Sequence, residues 1–292
     1  MPPQILLTLI ASCGFLGWAF WPTLEFLTSK WSNDPQYSHG FLVPFFSAYL
    51  LWRAVRLSPD SILSVPRPFL ALLLLTLAAG MRAFAGGLLF HQLDAAALLV
   101  SLGAIALLVG GSLAFFKSAP AIGFLVFAVP LPYELERNVG GPLRIVATQS
   151  STYLLQTLGE PAVAEGNTIL IDDHTLEVAD ACSGLKMLVT FSAFAVGAVL
   201  TMQRTWFERG MILLGIVPIA VLTNVLRITA TGLSYAHFGE SKQTMTFLHD
   251  LYGWFMMPAG LGLLFFQLWC LNRLVVRDEP LDSFPDLSRS RP

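Results

Sequence analysis

The sequence predicts an all-α polytopic membrane protein with about eight transmembrane helices, a small extracytoplasmic β-hairpin and an interfacial helix. Hydrophobic residues make up 55% of the 292 residues and charged residues only 12%, about half the charged share of a typical soluble domain. The apolar residues come in long blocks, several of which reach the ~20 residues that a bilayer-spanning helix needs. The net charge of −2 points to neither nucleic acid nor an acidic partner.

Eight apolar segments are predicted to span the membrane, at 4–22, 40–53, 68–85, 94–114, 118–132, 183–202, 210–236 and 251–272. Basic residues favour the cytoplasmic side of a membrane. Ten of the 17 basic residues fall in one set of loops and five in the other, and the remaining two, Lys186 and Arg227, lie within spans. This bias predicts a multi-pass protein of the cell inner membrane with both termini in the cytoplasm. The segments predicted to lie outside are 23–39, 86–93, 133–182 and 237–250.

The longest outer segment, 133–182, is predicted to contain the interfacial helix and the hairpin. The helix covers 138–158, and its apolar face consists of Leu143, Val146, Ala147, Leu154 and Leu155 at helical spacing. Residues 168–171 and 175–178 alternate in polarity around a turn-like Asp-Asp-His triplet, which predicts the hairpin. Residues 1–275 are therefore predicted to form one membrane domain, and 276–292 a disordered cytoplasmic tail.

Cys182 is the first candidate for chemistry, in the run Ala-Cys-Ser-Gly-Leu-Lys that is predicted to open the sixth span. A cysteine at a helix N-terminus meets unpaired N–H groups and the positive end of the helix dipole, which favour the nucleophilic thiolate. Lys186 is predicted to lie one turn further on and to act in the same direction, with Ser183 in support. The alternative interpretation is a packing cysteine beside a lysine whose ammonium reaches the membrane surface.

Arg227 is the second candidate, because an arginine within an apolar membrane helix costs roughly 2.5–3.5 kcal/mol near the bilayer centre and is a functional-site hypothesis by default. Asn224 and Thr231 lie one turn away on either side, so the three residues form a polar stripe that must face protein or water. The alternative is an arginine that only stabilises helix packing.

His249, followed by Asp250, lies at the predicted outer entrance of the eighth span, where a histidine can act as general base and acid near neutral pH. His237 is a rival in the same outer loop, and either histidine could instead be a solvated surface residue. A further motif, from Tyr37 through His39 to Pro44, begins the second span and is interpreted either as an interfacial aromatic belt or as part of a substrate groove.

No cofactor or metal site is predicted, because the chain has no Cys-x-x-Cys or His-Glu-x-x-His spacing. Its other two cysteines, Cys13 and Cys270, lie in apolar blocks and are predicted to be small buried residues. A cysteine, an arginine and a histidine from three helices are thus expected at one membrane level. Cys–His pairs catalyse acyl transfer, and a neighbouring arginine can stabilise the oxyanion.

At these residues the sequence resembles the exosortase/archaeosortase family. The segments VADACSGLKML, NVLRI and LHDLYGWFMM are similar to that family's cysteine, arginine and histidine motifs, and YSHGFLVP and FLVFAVPLP match weaker patterns nearer the N-terminus. The resemblance runs from about residue 37 to residue 257. It implies a Cys182–Arg227–His249 active site supported by Asn224, with Tyr37, His39 and Asp250 near the substrate.

The resemblance also implies the substrate class. Family substrates are exported proteins with a C-terminal sorting signal, which consists of a short motif (often Pro-Glu-Pro), a transmembrane helix and a basic cluster. Cleavage is expected to be coupled to transfer onto a cell-surface acceptor nucleophile. Two alternatives stay open, namely a hydrolytic intramembrane cysteine protease and a non-enzymatic component of polysaccharide assembly or transport.

Overall fold

The computed structural model describes residues 3–57, 64–88, 90–171, 174–178, 184–238 and 242–274. Within these ranges the chain forms ten α-helices and one three-stranded sheet, joined in places by 3₁₀ turns. The elements in chain order are α1 Pro3–Ala19, α2 Trp21–Asn33, a 3₁₀ helix Pro35–Phe41, α3 Leu42–Arg56, α4 Pro68–Leu88, α5 His91–Phe124, a 3₁₀ helix Leu125–Ala128, α6 Tyr133–Thr157, β1 Ala162–Glu165, β2 Thr168–Ile171, β3 His174–Glu177, α7 Leu185–Thr201, α8 Trp206–Leu214, α9 Ile216–Phe238 and α10 Lys242–Leu274.

The first departure from the sequence prediction is α2, which occupies much of a segment expected to be an outer loop. Helix α2 follows α1 after a single residue and bends away from it by 71°. Pro22 lies in the first turn of α2. A proline has no N–H to donate to the preceding turn, and its ring clashes there, so the helix bends instead of continuing straight.

Helix α5 folds back on itself at Gly111, where the backbone adopts φ +68° and ψ −163°. A Cβ atom placed on Gly103 would lie 3.0 Å from a ring carbon of Phe115, although residues twelve positions apart in a straight helix are separated by ~18 Å along the axis. The fold-back separates the two stretches that the sequence analysis treated as the fourth and fifth spans.

Several helices are long and apolar enough to cross a bilayer. Among the described residues, four qualify by length and composition, and a fifth is added if the bent α1–α2 pair counts as one span. Helix α7, with 17 residues, is apolar but shorter. These helices fit the predicted polytopic architecture, and the number of eight spans stays a prediction.

The helix predicted at 138–158 is present as α6, and its buried face shares Ala147 and Leu155 with the predicted apolar face but differs elsewhere. Val146 is 46% exposed, whereas the buried positions in the second half of α6 are Ala147, Thr148, Ser151, Thr152 and Leu155. Small residues let two helix backbones approach closely, and the Ser151 hydroxyl donates to the Val225 carbonyl oxygen of α9 at 3.2 Å. Helix α6 therefore packs against α9 through small and hydroxyl side chains.

The predicted hairpin is present as β2 and β3, and a strand that the sequence analysis did not predict, β1, extends it to an antiparallel sheet of order β1-β2-β3. One face of the sheet buries Ile169, Ile171 and Leu176 against Leu155 of α6 and Ile228 of α9. The sheet is thereby fixed to the helix that carries Arg227.

Two other expectations concern the burial of the cysteines and the C-terminal tail. Cys13 is exposed on the surface of α1 and Cys270 is half-buried, so the prediction that both are buried is wrong. Large apolar neighbours such as Leu16 and Phe20 fill the buried face of α1–α2 instead. The predicted tail, 276–292, lies outside the described residues.

Candidate functional site

Helix α9 presents the polar stripe that the sequence predicts, and the stripe faces the protein interior. Asn224 is 1% exposed, Arg227 8% and Thr231 5%. The Thr231 hydroxyl donates to the Arg227 carbonyl oxygen at 2.9 Å, so this hydroxyl is satisfied within its own helix. The guanidinium and the amide are therefore held at buried positions against neighbouring elements.

The chain that follows the candidate nucleophile meets Asn224. Gly184, with φ +82°, immediately precedes α7, and a Cβ atom placed on it would lie 3.3 Å from Asn224 Nδ2. A residue with a side chain would be strained at this φ and would also press on Asn224. Cys182 and Ser183 lie outside the described residues, but two peptide units limit the Cys182–Gly184 Cα separation to about 7 Å.

The start of α7 changes one element of the sequence analysis. The helix begins at Leu185 with Gly184 as its N-cap residue, so Cys182 precedes the helix. The sixth span was predicted to begin at residue 183, so the helix begins two residues later than expected, and the relation of Cys182 to Lys186 lies outside the described residues. The reason for the later start is that glycine in the left-handed region ends regular helix geometry, which a hydropathy pattern does not register.

The segment that contains the candidate general base meets Arg227. A Cβ atom on Gly253 of α10 would lie 3.9 Å from both Cζ and Nε of Arg227. Because glycine has no side chain, the α10 backbone approaches the guanidinium closely at this position. His249 occupies the position one turn before Gly253 on the same face of α10. The side chains of His249 and Asp250 lie outside the described ones.

Lys186 adds a second cation to the same region. Its ammonium interacts repulsively with the Arg227 guanidinium and attractively with the Asp34 carboxylate, which begins the 3₁₀ helix Pro35–Phe41. Two like charges near one another raise the local positive potential and favour an anion between them.

His39 lies against α7 next to Thr190, outside the predicted spans. Its Nε2 is 3.2 Å from the Phe127 carbonyl oxygen, and its Nδ1 is 3.4 Å from the Thr190 hydroxyl. Burial lowers the pKa of His39, and the nearby Lys186 ammonium lowers it further, while hydrogen bonds to the Phe127 and Gln36 carbonyl groups act in the opposite direction. The imidazole is therefore neutral at neutral pH.

Tyr37, which the sequence analysis placed near the substrate, is buried among neighbouring elements. Its side chain is 3% exposed, and its hydroxyl accepts hydrogen bonds from the Leu131 N–H at 3.1 Å and from Gln36 Nε2 at 3.2 Å. Trp31 donates its Nε1–H to the Ala128 carbonyl oxygen at 2.8 Å. With His39, these side chains hold the turn at 127–131, and we assign Tyr37 to positioning this turn.

Two further histidines of the predicted outer segments, His237 and His174, are placed away from the Arg227 guanidinium. His237 is exposed, its Nδ1 is 3.0 Å from the Leu233 carbonyl oxygen of its own helix, and the same atom is 3.7 Å from a Glu160 carboxylate oxygen. His174 in β3 lies against the ring of Tyr235. Both histidines therefore occupy the sheet end of α9, two to three turns beyond Arg227.

A cavity of about 620 Å³ lies between α3, α7 and α10. His39 and Thr190 form its polar end, and apolar side chains such as Phe46, Phe194 and Leu264 line the rest. A cavity with this lining suits apolar side chains along its length and a polar group at one end.

Sequence reasoning found the residues on α9 but missed those that position them. Gly184 and Gly253 lie in the family-like segments VADACSGLKML and LHDLYGWFMM. Gly253 follows His249 by four residues, and this helical spacing could have predicted that the two share a helix face. Thr190 carried no local signal, because its contact with His39 joins positions 151 residues apart.

Comparison with protein-family models matches residues 31–266 to the transmembrane exosortase model. A comparison with curated proteins and one with solved structures each returned no match. The matched stretch covers most of the chain and includes the segments around Cys182, Arg227 and His249. Together with the apolar helices, it identifies a multi-pass membrane protein, and the chain belongs to the transmembrane exosortase family.

Proposed function

We propose that this protein is a cysteine-dependent protease and transpeptidase that cleaves the C-terminal sorting signal of exported proteins and transfers them to a cell-surface acceptor. One observation carries the proposal. Gly184 lies against Asn224 and Gly253 lies against Arg227, so the segments that contain the cysteine, the arginine and the histidine meet around one buried polar stripe. Convergence of this kind is what covalent acyl transfer requires.

In the first half-reaction the Cys182 thiolate attacks the scissile carbonyl carbon, and a C–S bond forms. Arg227 donates hydrogen bonds to the oxyanion of the tetrahedral intermediate, and Asn224 supports this site. The intermediate collapses, the C–N bond breaks, and the amine of the C-terminal fragment leaves with a proton from His249. Lys186 favours the thiolate form of Cys182 electrostatically.

In the second half-reaction His249 takes a proton from the acceptor nucleophile, which attacks the thioester carbon. The C–S bond breaks, and the Cys182 thiolate is regenerated. A thioester suits an amine or another good nucleophile as acceptor, and water would give hydrolysis instead.

The transmembrane helix of the substrate binds along the cavity between α3, α7 and α10, with its apolar side chains on Phe46, Phe194 and Leu264. His39 and Thr190 then lie near the level of the cleaved motif, and Asp250 contacts the substrate from α10. The active site faces the periplasm or cell exterior, as the distribution of basic residues suggests.

The test is mass spectrometry of the C-terminus of a substrate that ends in a Pro-Glu-Pro motif, a transmembrane helix and a basic cluster. Cells with the wild-type protein should give a truncated and joined product, and the Cys182→Ala variant should give only full-length substrate. Cys270→Ala, a half-buried cysteine of α10, is the matched control and should process normally. Processing by Cys182→Ala at a substantial rate would refute the cysteine mechanism.

The same spectra separate the alternatives. A free carboxyl terminus without acceptor would identify a hydrolytic protease. Unchanged substrate with the wild-type protein would favour a non-enzymatic role in polysaccharide assembly or transport, but polar groups along a transport path lie at several depths, whereas Asn224, Arg227 and Lys186 cluster together.

A further inference from the structure

The two edges of the outer sheet differ in whether another element covers them. The paired residues Ala162↔Ile171 and Glu165↔Thr168 set the register of β1 against β2. Ala162 directs its backbone away from β2, and its carbonyl oxygen accepts a hydrogen bond from Gln156 Nε2 of α6 at 2.7 Å. Helix α6 therefore covers the β1 edge.

The register of β3 determines which of its backbone groups point outward. The Val178 N–H donates to the Asn167 carbonyl oxygen at 2.9 Å, which makes these two residues a hydrogen-bonded pair. Because such pairs alternate along an antiparallel ladder, Leu176 and His174 also point their backbone groups at β2. Thr175 and Glu177 consequently direct their N–H and C=O groups to the outer edge.

This outer edge is open in the part of the chain that the structure describes. The side chains of Thr175 and Glu177 are exposed, while Leu176 between them is buried. Among the described residues, no backbone–backbone hydrogen bond joins either of these outward-facing positions to another element. An open edge with free donors and acceptors is a template for one more strand.

Strand β3 lies close to the proposed nucleophile along the chain. Strand β3 ends at Glu177, and Cys182 follows five residues later, a contour length of at most about 17 Å. The inner face of the strand packs on α9 next to Ile228, the residue after Arg227. Cys182 itself lies outside the described residues, so this contour length is the upper limit on its distance from the end of β3.

We propose that the open edge of β3 binds an extended segment of the protein substrate as a fourth strand, through main-chain hydrogen bonds to Thr175 and Glu177. This inference rests on the proposed function, and it specifies how the cleaved region is held. Main-chain pairing fixes the direction and the position of a peptide and leaves side-chain selection to neighbouring surfaces.

The features of the edge favour a substrate segment over a second copy of this chain. Only two residues of β3 offer outward backbone groups, and a short strand with a charged residue such as Glu177 is the usual protection against pairing between copies. A substrate segment that is also anchored by its membrane helix needs only a few added hydrogen bonds, because its effective concentration at the edge is high.

The first test is disulfide cross-linking in full-length protein that carries Cys13→Ala, Cys182→Ala and Cys270→Ala. Thr175→Cys or Glu177→Cys is paired with single cysteines introduced at consecutive positions before the Pro-Glu-Pro motif of the model substrate. Disulfides require Cβ atoms about 3.5–4.5 Å apart, so an added strand should give yields that alternate with a period of two.

The matched control is Glu165→Cys, which is equally exposed and in the same sheet, but on the strand whose edge α6 covers. We expect several-fold lower yields there. Equal yields at Glu165→Cys, a helical period along the substrate, or no cross-link from β3 would overturn the proposal.

The second test measures the main-chain contribution through substrate turnover by the otherwise wild-type protein. Glu177→Pro removes an outward N–H that β2 does not use and should raise KM about three- to tenfold with little change in kcat, the effect of one hydrogen bond. Glu177→Ala keeps the N–H and should leave KM near the wild-type value. Equal KM values in the two variants would refute strand addition, whereas a wild-type protein that processes no substrate at all would refute the proposed function instead.

Discussion

Replacement of Gly184 tests whether the contact between Asn224 and the chain after Cys182 matters for activity. The residue has φ +82°, and a Cβ there would lie 3.3 Å from Asn224 Nδ2. An L-residue in the left-handed region costs roughly 1–2 kcal/mol, partly offset by the reduced entropy of the unfolded chain. The Cβ contact is shorter than most, so Asn224 must also shift by a few tenths of an ångström.

Two other glycines allow the strain to be separated from the contact. Gly159 and Gly166 also have positive φ, at +98° and +59°, but a Cβ on either would meet no atom within 4 Å. All three glycine-to-alanine variants should therefore lose a similar free energy of unfolding, about 1 kcal/mol after the entropic offset.

Only Gly184→Ala should lose processing activity. A shift of about 1 Å in a positioning group can cost on the order of 100-fold in rate, so a shift of a few tenths of an ångström should cost about tenfold. Thermal unfolding in detergent measures the stability of each variant, and turnover of the model substrate measures activity. If Gly184→Ala processes substrate as fast as Gly159→Ala at equal stability, Asn224 does not position the reacting groups.

Four further predictions follow from the residues around Arg227. Arg227→Lys should be expressed normally and bind substrate, but turn over at least about 100-fold more slowly, because lysine lacks the planar donor pair; near-normal turnover would return Arg227 to a structural role. His249→Ala should abolish processing, whereas His237→Ala and His174→Ala should retain most of it, and a reversed pattern would transfer the acid–base role to His237. Lys186→Met should raise the melting temperature, because it removes a charge that is half-buried and that Arg227 repels. It should also slow processing at neutral pH, with recovery at higher pH as the Cys182 thiol ionises; a lower melting temperature would contradict this. His39→Gln should make the free energy of unfolding depend less on pH on the acid side. Burial lowers the pKa of His39 below its ordinary value of 6.5, so its contribution to stability is present above that pH and declines as the pH falls below it. Equal slopes of stability against pH in wild type and variant below pH 6.5 would exclude this role.

The parts of the fold that sequence predicted well depend on local patterns. Alternation of polar and apolar residues identified β2 and β3, and hydropathy identified the helices α4 and α9. The four-residue strand β1, with the sequence AVAE, is too short and too alanine-rich for its periodicity to stand out. Helix α2 carries Thr, Glu, Ser and Lys, so hydropathy alone assigned it to a loop.

In the candidate site, too, only the features that depend on local sequence patterns could be predicted. The polar stripe on α9 was predictable because helical spacing places Asn224, Arg227 and Thr231 together, and an arginine in an apolar helix is conspicuous. The contacts that surround it were not predictable. Tyr37 satisfies the backbone of Leu131 across 94 residues, and such a side-chain-to-backbone contact leaves no mark on local periodicity.

The arrangement of charge around Arg227 has an energetic consequence. A buried arginine is costly, and a second cation, Lys186, placed within electrostatic range of it makes the resting site less stable than either charge alone would. The Asp34 carboxylate offsets part of the Lys186 charge. An anion that forms near the two cations, such as the Cys182 thiolate or the tetrahedral oxyanion of the proposed acyl transfer, would be stabilised by both of them. Interactions that strengthen as the transition state forms accelerate the chemical step. Under the proposed mechanism we therefore expect Lys186 and Arg227 to act together on the transition state, whereas a helix-packing role for Arg227 requires no second cation.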